Sequence, residues 1–166
     1  MNKKTVWITG ASSGIGQEFA RQYARLGFRL ILTARRKDRL DALAEELQNR
    51  YHVPCRVLPA DLERDVDCEA LCTVLAAERI DLFINNAGFG ISGAVEFTKT
   101  EDAQHQLDVN FFGMVRMNRQ VLPVMRRQCH GRIVNLSSVA GAIPIPFQTY
   151  YSASKAAINS YTMALA

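Results

Sequence analysis

The sequence predicts a doubly wound α/β fold, a parallel sheet with helices on both faces, in a single domain over 1–166. Three observations carry this reading. Short runs of aliphatic and β-branched residues alternate with stretches whose apolar residues recur at helical spacing. The runs are apolar throughout rather than alternating, as strands covered on both sides are. The first run, Val6-Trp7-Ile8, ends in a turn containing Gly10, Gly14 and Gly16 that leads directly into a helix.

From Ile15 onward, Phe19, Tyr23 and Leu26 mark that first helix, which Gly27 closes. Phe28 to Thr33 reads as a second strand, followed by Ala34-Arg35-Arg36. Leu40, Leu43, Ala44 and Leu47 form the stripe of the next helix, with Asp38 near its positive end. Pro54 and Pro59 bracket a third strand before Ala60-Asp61-Leu62, and Leu71, Val74 and Leu75 mark a further helix. Asp81 to Asn85 is the fourth strand, running into Asn86-Ala87-Gly88. Thr100, Glu101 and Asp102 open a long helix whose stripe passes through Leu107, Phe111, Met114, Leu122 and Met125, with a kink expected at Pro123. Asn110 falls on that stripe, where a polar side chain needs hydrogen-bond partners. Gly131 precedes a fifth strand, Arg132 to Leu136, and a last helix runs from about Thr149 to the end.

Composition narrows the function classes. The net charge of +4 is spread over several segments rather than collected in a tract, which argues against a nucleic-acid partner. No apolar run is long enough to span a bilayer, and Met1-Asn-Lys-Lys enters the first strand without a signal-peptide pattern, so a cytoplasmic location and no membrane partner are expected. Cys55, Cys68, Cys72 and Cys129 contain no C-x-x-C pair and read as reduced packing residues. His52, His105 and His130 lack metal-ligand spacing, so no metal is expected.

Ligands of doubly wound sheets bind at the carboxyl ends of the strands, where strand order reverses. The glycine turn, Arg35, Asp61, Asn86 and Ser138 all follow strands, so one crevice is expected to gather them. The turn itself suits a phosphate: glycines let the backbone approach, the helix start offers free N–H groups, and Ser12 and Ser13 add hydroxyls or a cap. Glycines there also serve a tight turn alone, and the G-x-x-x-G-x-G spacing differs from the G-x-G-x-x-G of larger dinucleotide domains. Tyr151 and Lys155 stand four apart on one helical face, and a nearby ammonium is what lets a phenol exchange a proton near neutral pH. Tyr150 has only Ser154 at that spacing. Taken alone, the Tyr–Lys pair reads as an exposed surface contact and Ser138 as a turn residue. Without G-x-S-x-G or an adjacent His, Ser138 does not suggest a serine hydrolase.

Assembled, these motifs resemble the short-chain dehydrogenase/reductase family along all 166 residues. Thr9-Gly10 and Gly14-Ile15-Gly16 are similar to its cofactor turn, and Asp61-Leu62 to its adenine contact. Asn85-Asn86-Ala87-Gly88 corresponds to its fourth-strand motif, and Asn110, Ser138, Tyr151 and Lys155 to its catalytic tetrad. The resemblance implies a Rossmann-type sheet and hydride exchange between a nicotinamide cofactor and a small carbonyl or alcohol substrate. It also implies that Tyr151 is the general acid or base, that Lys155 binds the nicotinamide ribose and acts on Tyr151, and that Ser138 polarises the carbonyl. Asn110 would hold a water linking Lys155 to solvent. Pairing of subunits through the helices 101–128 and 149–166 is expected on the same ground. The acidic residue expected after the second strand for a ribose hydroxyl is replaced by Ala34, and Arg35 and Arg36 suit a 2′-phosphate, so NADP(H) is expected over NAD(H).

One departure shapes the remaining expectation. The family continues past the Tyr–Lys helix with further strands and a substrate segment, whereas Ser160 to Ala166 reads as mid-helix without a cap. A piece of a longer enzyme, lacking the last strands and much of the substrate pocket, is expected. A nucleotide-sensing protein and an inactive remnant are the alternatives, and the intact tetrad favours the enzyme.

Overall fold

The computed structural model describes residues 3–75 and 78–165; the side chains of Cys72, Val74 and Leu75, together with Met1, Asn2, Ala76, Ala77 and Ala166, lie outside the described residues. Five strands form one parallel sheet: β1 (Thr5–Thr9), β2 (Arg29–Ala34), β3 (Cys55–Pro59), β4 (Leu82–Asn85) and β5 (Arg132–Asn135). Their order is β3-β2-β1-β4-β5. The chain builds outward from β1 in one direction and then returns to its other side at β4. That reversal opens a crevice above the carboxyl ends of β1 and β4.

Among the described residues six α-helices flank the sheet, five between strands, α1 (Gly14–Arg25), α2 (Lys37–Tyr51), α3 (Asp65–Leu75), α4 (Thr100–Leu107) and α5 (Gly113–Arg127), and one after β5, α6 (Thr149–Leu165). All five residues of β1 are buried, as a strand covered on both faces requires. Val6, Ile8, Leu30, Leu32 and Ile84 face α1 and α2. Trp7, Ile31 and Phe83 face α3 and α5, with the Trp7 and Phe83 rings 4.9 Å apart. Trp7 Nε1 donates to Thr33 Oγ1 at 2.9 Å, so the indole is buried without an unmet donor. Cys55 and Cys68 are free thiols, and burial pushes each up to about 11, which suits packing rather than reactivity.

The long helix differs from the sequence expectation. It contains a π turn over Asp108–Phe112, and α5 continues through Pro123, which lies on its exposed side. The inward face holds the expected Asn110, Met114 and Met125 together with Ala103, Gln106, Gly113, Met117, Asn118, Val121 and Val124, while Leu107, Phe111 and Leu122 are half-buried. α6 packs against α4 and the π turn, which brings residues of α6 beside Asn110.

Candidate active site

The crevice begins with the turn after β1. Gly10 (φ +66°) and Gly14 (φ +57°) occupy the left-handed region that glycine enters without strain. A Cβ on Gly16 would collide with the Gly10 carbonyl and with Asn86 Nδ2, whereas one on Gly14 would meet nothing within 4 Å. The first glycine pair lets backbone meet backbone, and Gly14 leaves the cleft side open. Thr9, fully buried, ties this turn to the one after β4: its Oγ1 accepts from Asn86 N at 3.0 Å and Ala87 N at 3.2 Å. Asn86 Nδ2 in turn donates to Thr9 O at 3.0 Å and Gly10 O at 3.3 Å. Thr9 and Gly16 thus shape the turn from beneath and do not line the cleft.

Ser12, Ser13, Gly14, Ile15, Arg35 and Arg36 form one wall of a cleft of about 860 Å³. Ser13 stands at the N-cap position of α1 but makes no side-chain cap bond. Arg36 Nη2 donates to Ser12 Oγ at 3.0 Å and Ser13 Oγ at 2.8 Å. Arg35 lines the same wall and is exposed. The loop after β3 contributes Asp61, Leu62 and Glu63; Asp61 Oδ1 accepts from Glu63 N at 3.2 Å, an Asx-type turn that shapes the loop. The loop after β4 contributes Asn86, Ala87 and Gly88.

At the far end of the sheet stand Tyr151 and Lys155. Lys155 is 5 % exposed; its Nζ donates to Leu136 O at 2.9 Å and lies 5.6 Å from the centre of the Tyr151 ring. Burial pushes the ammonium pKa down from its usual value. Asn110, 1 % exposed, uses the π turn to reach three partners: Nδ2 donates to Phe89 O at 2.8 Å and to Ser154 Oγ at 3.1 Å, and Oδ1 accepts from Phe89 N at 2.9 Å. A Cβ on Gly88 would sit 2.9 Å from Asn110 Oδ1 and would push on the carboxamide that holds Phe89 N. Ser138 caps a short 3₁₀ turn, Val139–Gly141, its Oγ accepting from Ala140 N at 3.2 Å. Ser137, not Ser138, is the serine that lines the cleft, and its hydroxyl donates to Lys155 O at 3.0 Å.

All the residues singled out in the sequence therefore gather around one crevice, with Thr9, Gly16, Asn110 and Ser138 supporting it rather than lining it. Sequence reasoning missed Glu63, Phe89, Gly90, Val109, Ser137 and Gln148, which do line it. Most of them adjoin a motif, and adjacency was the one signal available. Gly90 is instructive: it runs beside the Tyr151 ring, where a Cβ would lie 3.4 Å from Cδ2, in van der Waals contact.

Fold and cleft together define a doubly wound domain with a phosphate-type turn at its switch point and a Tyr–Lys pair at its far end. The chain belongs to the short chain dehydrogenase family, whose model matches residues 4–166. It is 38 % identical over 168 residues to a 3-ketodihydrosphingosine reductase from Bacteroides thetaiotaomicron, covering 100 % of this chain and 58 % of that protein. Against an 11-beta-hydroxysteroid dehydrogenase from Pinus massoniana the identity is 38 %, over 97 % of this chain and 46 % of the relative. A short-chain dehydrogenase from Sphingobium yanoikuyae, solved in complex with NADPH, superposes with a TM-score of 0.92 at 39 % identity, over 98 % of this chain and 64 % of that one. The chain spans about half the length of the curated relatives it matches.

The residues present fit a dinucleotide. The Gly14 side of the turn is open where a Cβ would stand, and Arg35 presents a guanidinium on the same wall.

Proposed function

We propose that this chain is the cofactor-binding and catalytic part of an NADP-dependent oxidoreductase that interconverts a carbonyl and an alcohol. The observation that carries this reading is the Tyr151–Lys155 arrangement: a buried ammonium, anchored on Leu136 O, beside a phenol ring at the end of the cleft. When bound, the cofactor supplies or takes up the hydride. In reduction Tyr151 gives its hydroxyl proton to the substrate oxygen, and in oxidation it takes that proton back. Lys155 favours the ionised phenol through its charge, since its cost of burial is offset by staying close to an incipient anion. Ser138, half-buried beside the cleft-lining Ser137, uses an acceptor position of Oγ on Ala140 N, so its O–H remains to donate to a substrate oxygen that extends past that wall. Asn110 holds the Phe89 segment and Ser154 in place behind Lys155.

The preference for NADP(H) is supported by Ala34 at the position of the expected acid, by Arg35 and Arg36 on the cleft wall, and by neighbours solved with NADPH. We read the chain as one dinucleotide-binding domain acting on small molecules. Self-association through the helices 101–128 and 149–166 belongs to the same reading, supported by exposed Phe112 on the π turn and Met163 on α6. Among the described residues, no helix is long and apolar enough to cross a membrane.

The test is NADPH binding by fluorescence, followed by NADPH consumption with a panel of ketones and aldehydes. Tyr151→Phe is expected to abolish consumption while leaving the dissociation constant for NADPH within about three-fold, because the hydroxyl moves a proton and does not hold the nucleotide. Tyr150→Phe is the matched control and should retain activity. Undiminished turnover in Tyr151→Phe would falsify the assignment, and binding without consumption in the unmodified protein would favour a nucleotide sensor.

A further inference from the structure

Tyr151 and Lys155 are carried by α6, so their place in the cleft depends on what holds that helix against the sheet. The first half of α6 is held at several points. Ser152 Oγ accepts from Ile145 N at 3.2 Å, Ser154 Oγ accepts from Asn110 Nδ2 at 3.1 Å, and the carbonyl of Lys155 accepts from Ser137 Oγ at 3.0 Å. Beyond Lys155, α6 makes one side-chain hydrogen bond among the described residues: Asn135 Nδ2 donates to Thr162 Oγ1 at 3.0 Å. The other visible tie of that half is apolar, the Phe111 ring 5.9 Å from that of Tyr161. Thr162 follows Lys155 by seven residues, which is two turns and about 10 Å along the axis on the same face.

Asn135 is committed to this bond by its surroundings. Its Oδ1 accepts from Asn85 Nδ2 at 3.1 Å and from Asn118 Nδ2 at 3.3 Å, so its own N–H groups are turned toward α6. Asn85 and Asn118 are buried, and Asn85 Nδ2 also donates to Asn118 Oδ1 at 2.8 Å. A chain of three carboxamides thus runs from β4 and α5 through β5 to the second half of α6. Asn85 directly precedes Asn86, whose side chain holds the glycine turn.

We propose that Asn135 is a positioning residue for the Tyr151–Lys155 pair, acting through Thr162 to keep α6 seated on β5. The assignment rests on the reading of that pair as the proton-transfer site. A seat is needed because the ammonium lies between α6 and the end of β5, bonded to Leu136 O, with burial lowering its pKa and no ion pair among the described residues. Hydration of that charge favours a helix lifted from the sheet. A helix held only along its first half can peel from the other end toward Lys155, and the Asn135–Thr162 bond closes that route.

The experiment follows the Lys155 Cε signal of the isotopically labelled, cofactor-free chain by nuclear magnetic resonance across a pH series, with the signal assigned by its loss in Lys155→Arg. Thr162→Val keeps the shape of the side chain and removes the acceptor. It should raise the Lys155 titration midpoint by about half a pH unit, roughly a three-fold gain in proton affinity, as water reaches the ammonium. Thr162→Ser keeps the oxygen and should restore the midpoint of the unmodified chain, while Asn135→Ala should raise it at least as far as Thr162→Val. Asp81→Asn, which removes an acceptor carboxylate at the opposite ends of the strands, controls for lost stability and should leave the midpoint unmoved. An unmoved midpoint in Thr162→Val, whether or not its melting temperature falls, makes the bond structural only and overturns the proposal. A midpoint that Thr162→Ser fails to restore, or that moves equally in Asp81→Asn, overturns it as well. NADPH titration of the unmodified chain separates the two readings. Absence of binding overturns the cofactor reading and the role of the pair with it, whereas binding with an unmoved midpoint overturns this assignment alone.

Discussion

Arg35 and Arg36 are neighbours of the same residue type, and the structure gives them different work. Arg36 is occupied by Ser12 and Ser13 and braces the glycine turn, whereas Arg35 makes no hydrogen bond or ion pair among the described residues and still lines the cleft. On the proposed NADP(H) reading, Arg35 is therefore the group for a 2′-phosphate. Arg35→Ala is expected to weaken NADPH binding by about ten-fold and NADH binding by less than about two-fold, since only NADPH carries the charged group. Arg36→Ala should weaken both by similar factors through the loosened turn. Paired titrations of the two variants decide this, and equal losses for NADPH and NADH in Arg35→Ala would remove the basis for cofactor preference at that residue. The sequence placed both arginines at the site but could not divide their roles. The division depends on where two serine hydroxyls, more than twenty positions earlier, lie in the folded turn.

At the scale of elements, Asn110 sits on the π turn between α4 and α5, on an inward face that Ala103, Gln106, Met114 and Met117 share at helical spacing. Leu107 and Phe111, on the flanks of that face, are half-buried. Asn110 repays the irregular turn with three hydrogen bonds to the Phe89 segment and to α6. Asn110→Ala leaves Phe89 N without its acceptor, while Phe89 O keeps Gln106 Nε2 at 3.2 Å. A loss of roughly 1–3 kcal/mol in unfolding free energy is expected, read from the urea midpoint at constant slope. A loss under about 0.5 kcal/mol would mean that Phe89 N finds another partner. Helical periodicity located the helix and flagged Asn110 as a polar residue among apolar ones. It could not reveal the partners of Asn110, which stand 21 and 44 positions away in the chain.

On the scale of the whole molecule, the site lies at the carboxyl ends of the strands and a separate staple closes their amino ends. Asp81 Oδ2 accepts from Thr5 N at 2.8 Å, Asp81 N donates to Thr5 O at 3.0 Å, and Arg132 N donates to Asp81 O at 3.1 Å, so β1, β4 and β5 meet there. Arg79 Nε and His130 Nε2 reach Asp81 Oδ1 at 2.9 Å and 3.2 Å. Burial by itself would raise this carboxyl, but the Thr5 N–H, Arg79 and His130 outweigh it and hold the pKa below the ordinary 3.8. The stabilisation is thus complete above that ordinary value and is lost as pH falls through the lower folded one. Asp81→Asn should be less stable at neutral pH by about 1–2 kcal/mol, the gap should close on acidification, and NADPH affinity should stay unchanged because the staple is remote from the cleft. Thermal melts of both proteins across an acid series test this; a gap that persists at the lowest pH would show that the charge of Asp81 is not what matters.

The succession of apolar runs and helical stripes determined the parallel sheet and its crossovers, and the residues that end each strand determined which side chains face a common crevice. Those are local patterns, set by side-chain periods of 2 and 3.6 along the chain. Tertiary structure decided the rest: that Ser137 rather than Ser138 lines the cleft, that Thr9 and Gly16 work from beneath it, that Glu63 joins the wall, and that Asn110 sits on a π turn. Each of these depends on hydrogen bonds and close approaches between segments brought together only when the sheet closes, such as Thr9 with Asn86 and Ala87 across β1 and β4, and periodicity along one segment carries no information about them.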